Sequence, residues 1–362
     1  MAVAPDETRF PCETCGSDLR FNPDRRDLTC DHCGNHQEIA LAGASPLREQ
    51  DYRAALTSGA GEIEEIETQT AKCPNCAAEI SFDAGIHAQE CPFCATPLVV
   101  GTAASRQIKP QAVVPFALDE RGAREAMTDW LGRLWFAPSG LQDFARKGRA
   151  MDGLYVPYWT YDADTSTNYS GARGTVYYET RHVTVNGKPK TTRVAKTRWR
   201  NVSGRVARNF DDILVLASRS LPKPHTDKLA PWDLSALHPF DPQYLAGFRS
   251  ESYGVELDDG FVEARDYMDR MISRDIRFDI GGDKQRISRA DTQTKNVSFK
   301  HVLLPIWVAA YKYRGGSYRI VVNGQTGTVT GARPYSTVKI AIAVVLGIAL
   351  AAAVGFFVAQ SQ

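Results

Sequence analysis

Cys12-Glu13-Thr14-Cys15 and Cys30-Asp31-His32-Cys33 form one pair of C-x2-C turns, and Cys73-Pro74-Asn75-Cys76 and Cys91-Pro92-Phe93-Cys94 form a second. Fourteen residues separate the turns in each pair, and the two pairs use all eight cysteines of the chain. A C-x2-C turn lets two thiolates converge on one ion, and two such turns on facing hairpins complete the tetrahedral sulfur shell that Zn2+ accepts. The spacing predicts two zinc ribbons holding two structural Zn2+ ions. The ligands are Cys12, Cys15, Cys30 and Cys33 in the first, and Cys73, Cys76, Cys91 and Cys94 in the second. Phe21 and Phe82 lie midway between the pairs, where a small ribbon needs an apolar plug. Four thiolates leave no open position for a substrate, so His32, His36 and His87 read as loop residues. Bound metal replaces the core that so short a segment cannot build.

Other uses of the cysteines fit less well. A redox CxxC stands at a helix start in a βαβ context, which this segment lacks. Disulfides need an oxidising compartment, yet the N-terminal MAVAPDETRF is acidic and has no apolar signal stretch.

The chain has 362 residues, 43% hydrophobic, with a formal net charge of +1. That balance hides an asymmetry: residues 1–100 carry 7 Lys/Arg against 17 Asp/Glu, so a front of −10 faces a remainder of +11. A module that grips nucleic acid uses Lys/Arg to replace phosphate counterions. Acidic ribbons repel phosphate, which points them toward protein and makes nucleic acid an unlikely partner.

Along the chain, ALAGAS links the first ribbon to a short helix expected from Ser45-Pro46 through PLREQDYRAAL, stopped by Gly59 and Gly61. GEIEEIETQTAK leads extended into the second ribbon, and IKPQAVVPF follows it, with Pro110 and Pro115 excluding helix. Asp119 caps a helix expected over Glu120–Leu134, whose apolar face is Ala123, Met127, Trp130, Leu131 and Leu134. LYVPYWTYDADT reads as an aromatic strand. GTVYYETRHVTV and KTTRVAKTRWRNVSGRV read as long strands around an Asn186-Gly187 hairpin turn. Pro222–Pro242 reads as loop with short helical turns.

The pattern then recurs. VELDDGFVEARDYMDRMI echoes FALDERGAREAMTDWL, and LLPIWVAAYKY echoes YVPYWTYDA, before a hairpin turning at Asn323-Gly324. The expected fold class is α+β: two four-cysteine ribbons, a β-rich duplicated helix-plus-antiparallel-sheet body, and one C-terminal transmembrane helix. The divisions are ribbon 1 over 8–40, a linker with a short helix over 41–71 and ribbon 2 over 72–101. The body comprises half 1 with its basic hairpin over 105–220 and half 2 over 221–336, and the transmembrane helix covers 338–359.

That last helix rests on Ile340–Ala359, twenty residues without a charge, eighteen apolar and two glycine. At about 1.5 Å per residue they span roughly 30 Å, the hydrocarbon thickness of a bilayer. Arg333 and Lys339 flank its N-terminal side and nothing basic follows, which places the body in the cytoplasm. Thiolate ligands ask for the same reducing side. The expectation is a single-pass C-terminal anchor in the inner (cytoplasmic) membrane, joined to the body by the short tether GARPYSTVK.

Between Tyr169 and Arg208 there are ten Lys/Arg against one acid, Glu179. Arg181, Lys188, Lys190, Arg193, Lys196, Arg198 and Arg200 form the candidate basic contact surface. An anionic membrane or an acidic protein surface, including the chain's own ribbons, is the preferred target. Nucleic acid stacking on Tyr177, Tyr178 and Trp199 is the alternative, and a solvated strand face the plain one. Self-association stays open.

No catalytic constellation emerges, so the chain reads as a non-enzyme. His182, His225, His238 and His301 are scattered, neither HExxH nor GxSxG occurs, and the pairs Asp211-Asp212 and Asp258-Asp259 read as turns or caps.

The order of paired ribbons, KPQAVVPF, YVPYW, FDDILVLAS, LLPIWVAAYKYRG, YRIVVNGQTG and a terminal span resembles a bacterial family of tail-anchored double-zinc-ribbon membrane proteins. Its members often carry the label of primosomal protein N' (replication factor Y) helicases. A helicase cradles ATP phosphates on a GxxxxGK(S/T) loop, and no such run exists here. The resemblance implies an adaptor or scaffold in membrane-stress or membrane-remodelling assemblies. Its implied partners are phage-shock-protein-A-like (ESCRT-III-related) and SPFH/flotillin-like proteins.

Overall fold

The computed structural model describes residues 10–39, 47–57, 65–74, 79–81, 88–91, 93, 96–99, 104–138, 141, 151–185, 188–221, 223–313 and 316–360. Three long strands dominate it: β1 (Asp152–Val185), β2 (Lys188–Leu216) and β3 (Lys284–Tyr313). They are antiparallel in the order β2-β1-β3 within a nine-stranded sheet. Their aromatic, β-branched and Thr-rich sequences suit a pleated surface. β1 pairs with β3 as far as Gly174↔Lys284, and with β2 as far as Val185↔Lys188. Beyond Gly174 the hairpin therefore runs on as a two-stranded arm. The 34 residues of β1 extend roughly 110 Å at about 3.3 Å each. The Asn186-Gly187 turn itself lies outside the described residues.

Two helices lie along the sheet. Helix α1 (Glu120–Gly132) starts where Asp119 accepts a 2.7 Å bond from Gly122 N–H, as the sequence predicts, and buries Ala123, Met127 and Leu131. Helix α2 (Leu257–Ile280) buries Gly260, Ala264, Met268, Ile272, Ile276 and Ile280. A strict four-residue spacing rotates the contact stripe by about 40° per step, so it follows a twisted sheet. Glycine is required at 260, because a Cβ there would lie 2.5 Å from the Tyr161 hydroxyl and 2.8 Å from Trp159.

The stretches 105–220 and 221–336 are interleaved in this sheet. Ala112–Val113, ahead of α1, pairs parallel with Val302–Leu303 of β3, while Arg249–Ser250, ahead of α2, pairs parallel with Leu154–Tyr155 of β1. Each stretch thus adds its lead-in strand to the other's long strand about the central pair Val156↔Leu304. A final segment, β4 (Gly316–Asn323) with β5 (Val329–Gly331), extends β3. The turn between them runs over 323–328 rather than closing at Asn323-Gly324. Asn323 accepts the backbone N–H of Gln325 and Thr326, and Gly327 takes the positive φ.

The short helix after the first ribbon also differs from expectation. It covers Tyr52–Thr57, and Asp51 accepts from Ala54 N–H at 2.7 Å. Gln50 and Asp51 pair instead with Phe299 and Ser298 of β3, which fixes them as strand and moves the helix start past them. Ser45-Pro46 lies outside the described residues. Helix α3 (Thr337–Gln360) has no buried residue and is long and apolar enough to cross a membrane.

Alternation along β1 separates two faces. Tyr155 joins a core that includes Cys12, Leu19, Phe21, Leu28 and Cys30 of the first ribbon. Leu154, Val156 and Tyr158 point the other way, into a core with Ala71, Cys73, Cys91 and Phe93. The two cysteine segments therefore rest on opposite faces of one sheet.

Candidate metal centre

The first ribbon is a three-stranded sheet of Leu19–Asn22, Asp27–Cys30 and His36–Gln37. Its two cysteine turns repeat one backbone plan. Cys12 N–H donates to Ser17 O at 2.7 Å and Gly16 N–H to Cys12 O at 2.8 Å. In the other turn Cys30 N–H donates to Asn35 O at 2.8 Å and Gly34 N–H to Cys30 O at 2.9 Å. Gly16 and Gly34 have φ of +74° and +73°, a conformation that glycine adopts without a Cβ penalty.

The turns bring Cys12, Cys15, Cys30 and Cys33 together with all four sulfurs within 4.8 Å of one another. Cys12 and Cys33 Sγ are 3.6 Å apart and Cys15 and Cys30 Sγ 3.5 Å. Sulfurs about 2.3 Å from a tetrahedral Zn2+ would be about 3.8 Å apart, so the cluster fits that ion. Burial pushes the Cys12 thiol up, but the backbone N–H groups of Cys15 and Thr14 outweigh it and bring it down to about 6. Cys33 accepts from the backbone of Asn35, yet the crowding sulfurs of Cys15, Cys12 and Cys30 push it up to about 12. A central dication is what lets four such groups ionise together. His32 and His36 are exposed and outside the cluster; His36 Nδ1 faces Thr29 Oγ1 at 3.0 Å and Asp27 at 3.4 Å.

Phe21 faces the body as well as its own ribbon. Its N–H donates to Ala246 O at 3.0 Å, and its ring meets Tyr244 edge-on at 5.5 Å. It is a docking residue, because the apolar plug of so thin a ribbon is also its underside. Beside this contact a cleft of about 420 Å3 opens between ribbon and body, its rim including Arg20, Asp24, Asp31, Asp119, Asp152 and Arg249.

In the second set, Cys73 and Cys91 are buried, and Cys91 N–H donates to Thr96 O at 2.8 Å, the same five-residue reach as in the first ribbon. Cys76, Cys94, Phe82 and His87 lie outside the described residues.

The basic arm concentrates its charge by alternation. With Arg173↔Arg200, Thr175↔Arg198 and Tyr177↔Lys196 in register, one face carries Arg173, Tyr177, Glu179, Arg181, Lys196, Arg198 and Arg200. Arg181, Arg198 and Arg200 are exposed, whereas Lys196 pairs with Glu179. Arg193 stands on the opposite face, and the Lys188 and Lys190 side chains lie outside the described residues. The three aromatic candidates are also split. Arg198 covers Tyr177 at 5.3 Å, Arg286 covers Trp199 at 4.0 Å, and Tyr178 is 68% exposed. Arg286 thus occupies one ring face of Trp199.

One polar cluster escaped the sequence reading. Lys300, almost fully buried, has Nζ 2.8 Å from Asp212, 3.0 Å from Glu49 and 3.5 Å from Asp162. Burial pushes the Asp162 carboxyl up to about 6, against the opposing pull of the Asp212 N–H and Lys300. Asp211-Asp212 forms a strand irregularity that brings Asp212, at φ +51°, into this cluster. Asp258-Asp259 lies in the first turn of α2. The cluster lines neither the ribbon cleft nor the groove of about 560 Å3 beside Arg208 and Phe278. A lysine and three acids spread from Glu49 to Lys300 have no sequence periodicity that could have announced them.

Compared with known proteins, the chain is 26% identical over 335 residues to the uncharacterized protein YdjG of Bacillus subtilis (strain 168), an alignment covering 92% of each chain. No family model matches the chain. No solved structure matches it either.

Proposed function

We propose that this chain is a membrane-anchored zinc-ribbon adaptor or scaffold, and not an enzyme, whose body lies on the cytoplasmic face and recruits protein partners to a membrane-stress or membrane-remodelling assembly. The observation that carries the reading is the four-sulfur cluster of Cys12, Cys15, Cys30 and Cys33, set on a body that ends in a membrane-capable helix. Four sulfurs close the shell, so the ion they suit, Zn2+, holds a surface in shape and leaves no position for substrate. Cys73, Cys76, Cys91 and Cys94 are proposed to hold a second Zn2+. The ribbon cleft has an acidic majority, which favours a basic segment of a partner protein. By resemblance, the partners are phage-shock-protein-A-like and SPFH-type proteins.

The test is purification of the tagged full chain from membranes in mild detergent. Proteins of those two kinds should accompany wild type and be lost from the Cys12→Ser/Cys15→Ser variant. Their absence from wild type would remove the partner reading. A second reading, nucleic-acid binding, is favoured by the one-sided charge of the arm; duplex DNA bound tightly at physiological salt would support it.

A further inference from the structure

The segment after α1 is bound to the root of α3. Ser336 N–H donates to Phe136 O at 2.8 Å, Lys339 Nζ donates to Ala137 O at 2.9 Å, and Ser336 Oγ accepts from Lys339 N–H at 3.3 Å. Pro334 is buried. GARPYSTVK is therefore no loose tether, since its last residues and the loop at 133–138 hold each other. Ser336 stands four residues before Ile340, where the apolar run begins. That is about one helical turn, roughly 6 Å.

At this level three aromatic rings face outward. Trp135 is 70% exposed, Tyr335 58% and Phe136 39%, and the Trp135 and Phe136 rings are 5.6 Å apart. Ala137 behind them is buried, so the rings have a fixed support. Single exposed apolar side chains are ordinary, but a group one turn from a membrane-capable helix is placed where a headgroup layer would be. Trp and Tyr concentrate at that layer because their rings are apolar at one end and hydrogen-bonding at the other. Arg333 adds a cation beside them, 5.4 Å from the Tyr335 ring centre and 5.9 Å from that of Trp130.

We propose that Trp135, Phe136 and Tyr335 form a lipid-interface anchor that seats the body on the bilayer at the root of α3. The occupant of this patch is the headgroup–acyl boundary of the same membrane that α3 enters, because backbone hydrogen bonds tie the two together. The inference rests on the membrane-anchor reading. Its consequence is orientation: a body held by a helix and an aromatic foot has a set tilt and rotation, and the long arm is then presented at a fixed angle.

The test is tryptophan emission of the full chain reconstituted in phosphatidylcholine/phosphatidylglycerol vesicles carrying a quenching spin label either just below the headgroup or deep in the acyl chain. The shallow label should quench wild type more than the deep one, and most of that difference should disappear in Trp135→Phe. Trp135 is exposed, so Phe at this position loses little packing, and the variant should resist alkaline carbonate extraction like wild type. Both proteins resisting extraction while being quenched equally would overturn the aromatic foot and leave the anchor standing. Wild type released by carbonate would overturn both.

Discussion

Trp307 donates its indole N–H to the Leu118 carbonyl at 3.0 Å, and Trp159 answers it from the other long strand with a bond to the Val255 carbonyl at 2.9 Å. Each tryptophan thus ties its strand to the lead-in of the helix contributed by the other stretch. Trp307→Phe keeps most of the apolar surface and leaves the Leu118 carbonyl without this donor. The expected cost is about 1–3 kcal/mol, read as a lowered unfolding temperature of the full chain in detergent. An unchanged midpoint would show that the bond contributes nothing.

Metal content follows from the cysteine sets. Wild-type protein should hold about two Zn per chain by elemental analysis, with Cys73→Ser/Cys76→Ser leaving about one. Iron in place of zinc, or no metal, would remove the structural-zinc reading.

Lys300 is the cation that makes a carboxylate cluster tolerable. Lys300→Met leaves Asp162, Asp212 and Glu49 facing one another. Breaking a buried pair costs about 3–5 kcal/mol. Glu49 and Asp212 keep 41% and 29% side-chain exposure, so solvent screens part of that and the low end, about 3 kcal/mol, is expected. The affected contact is that of Gln50–Asp51 with β3. Limited proteolysis should cut near residue 50 faster in the variant.

His301 sets a pH dependence. It is buried against Trp159 and Tyr253, and its Nδ1 lies 2.8 Å from Ile108 O. Burial depresses it to about 4 despite that bond. Below about pH 6.5 the unfolded chain takes up a proton that the folded one refuses. Stability should therefore fall as pH drops from 6.5 toward 4, by an amount on the order of 3 kcal/mol. Other groups titrate in the same window, so the measurement is the difference in slope between wild type and His301→Gln. Equal slopes would contradict the buried neutral imidazole.

The arm gives a binding prediction. Gln at Arg181, Arg198 and Arg200 together, which are exposed on one face of the arm, should weaken binding of the chain lacking Val338–Gln362 to anionic vesicles, at about 1 kcal/mol per basic residue near the surface. Duplex DNA and the separately expressed residues 1–100 are the comparison ligands. The first ribbon packs beside Tyr155 while Arg181 stands 26 positions further along β1, roughly 86 Å at about 3.3 Å each. Binding to residues 1–100 should therefore be intermolecular and depend on concentration.

Much of this was legible in one dimension. Thiolate convergence, the Asp119 cap and the charge-free run of Ile340–Ala359 are each decided by residues within about a turn or hairpin of one another. The first cluster could be named from spacing alone, and the apolar helix from length alone, since such patterns answer to bond geometry and membrane thickness. What spacing misjudged was the surroundings. Phe21 was expected to serve its ribbon and also docks on Tyr244. Ser45-Pro46 was expected to open a helix, but sheet pairing with Ser298 and Phe299 holds Gln50 and Asp51 extended.

The amino-acid sequence by itself determined which atoms can gather a metal ion, which segment can enter a bilayer, and where charge collects along the strands, because these depend on near neighbours and on side-chain chemistry. Only the tertiary structure decided that the two cysteine segments rest on opposite faces of one sheet. It alone decided that each lead-in strand joins the other stretch's β-strand, that Lys300 gathers Glu49, Asp162 and Asp212, and that Ser336 binds Phe136. Those relationships join residues far apart in the chain, and they are selected by the burial of whole faces, a quantity that no local pattern contains.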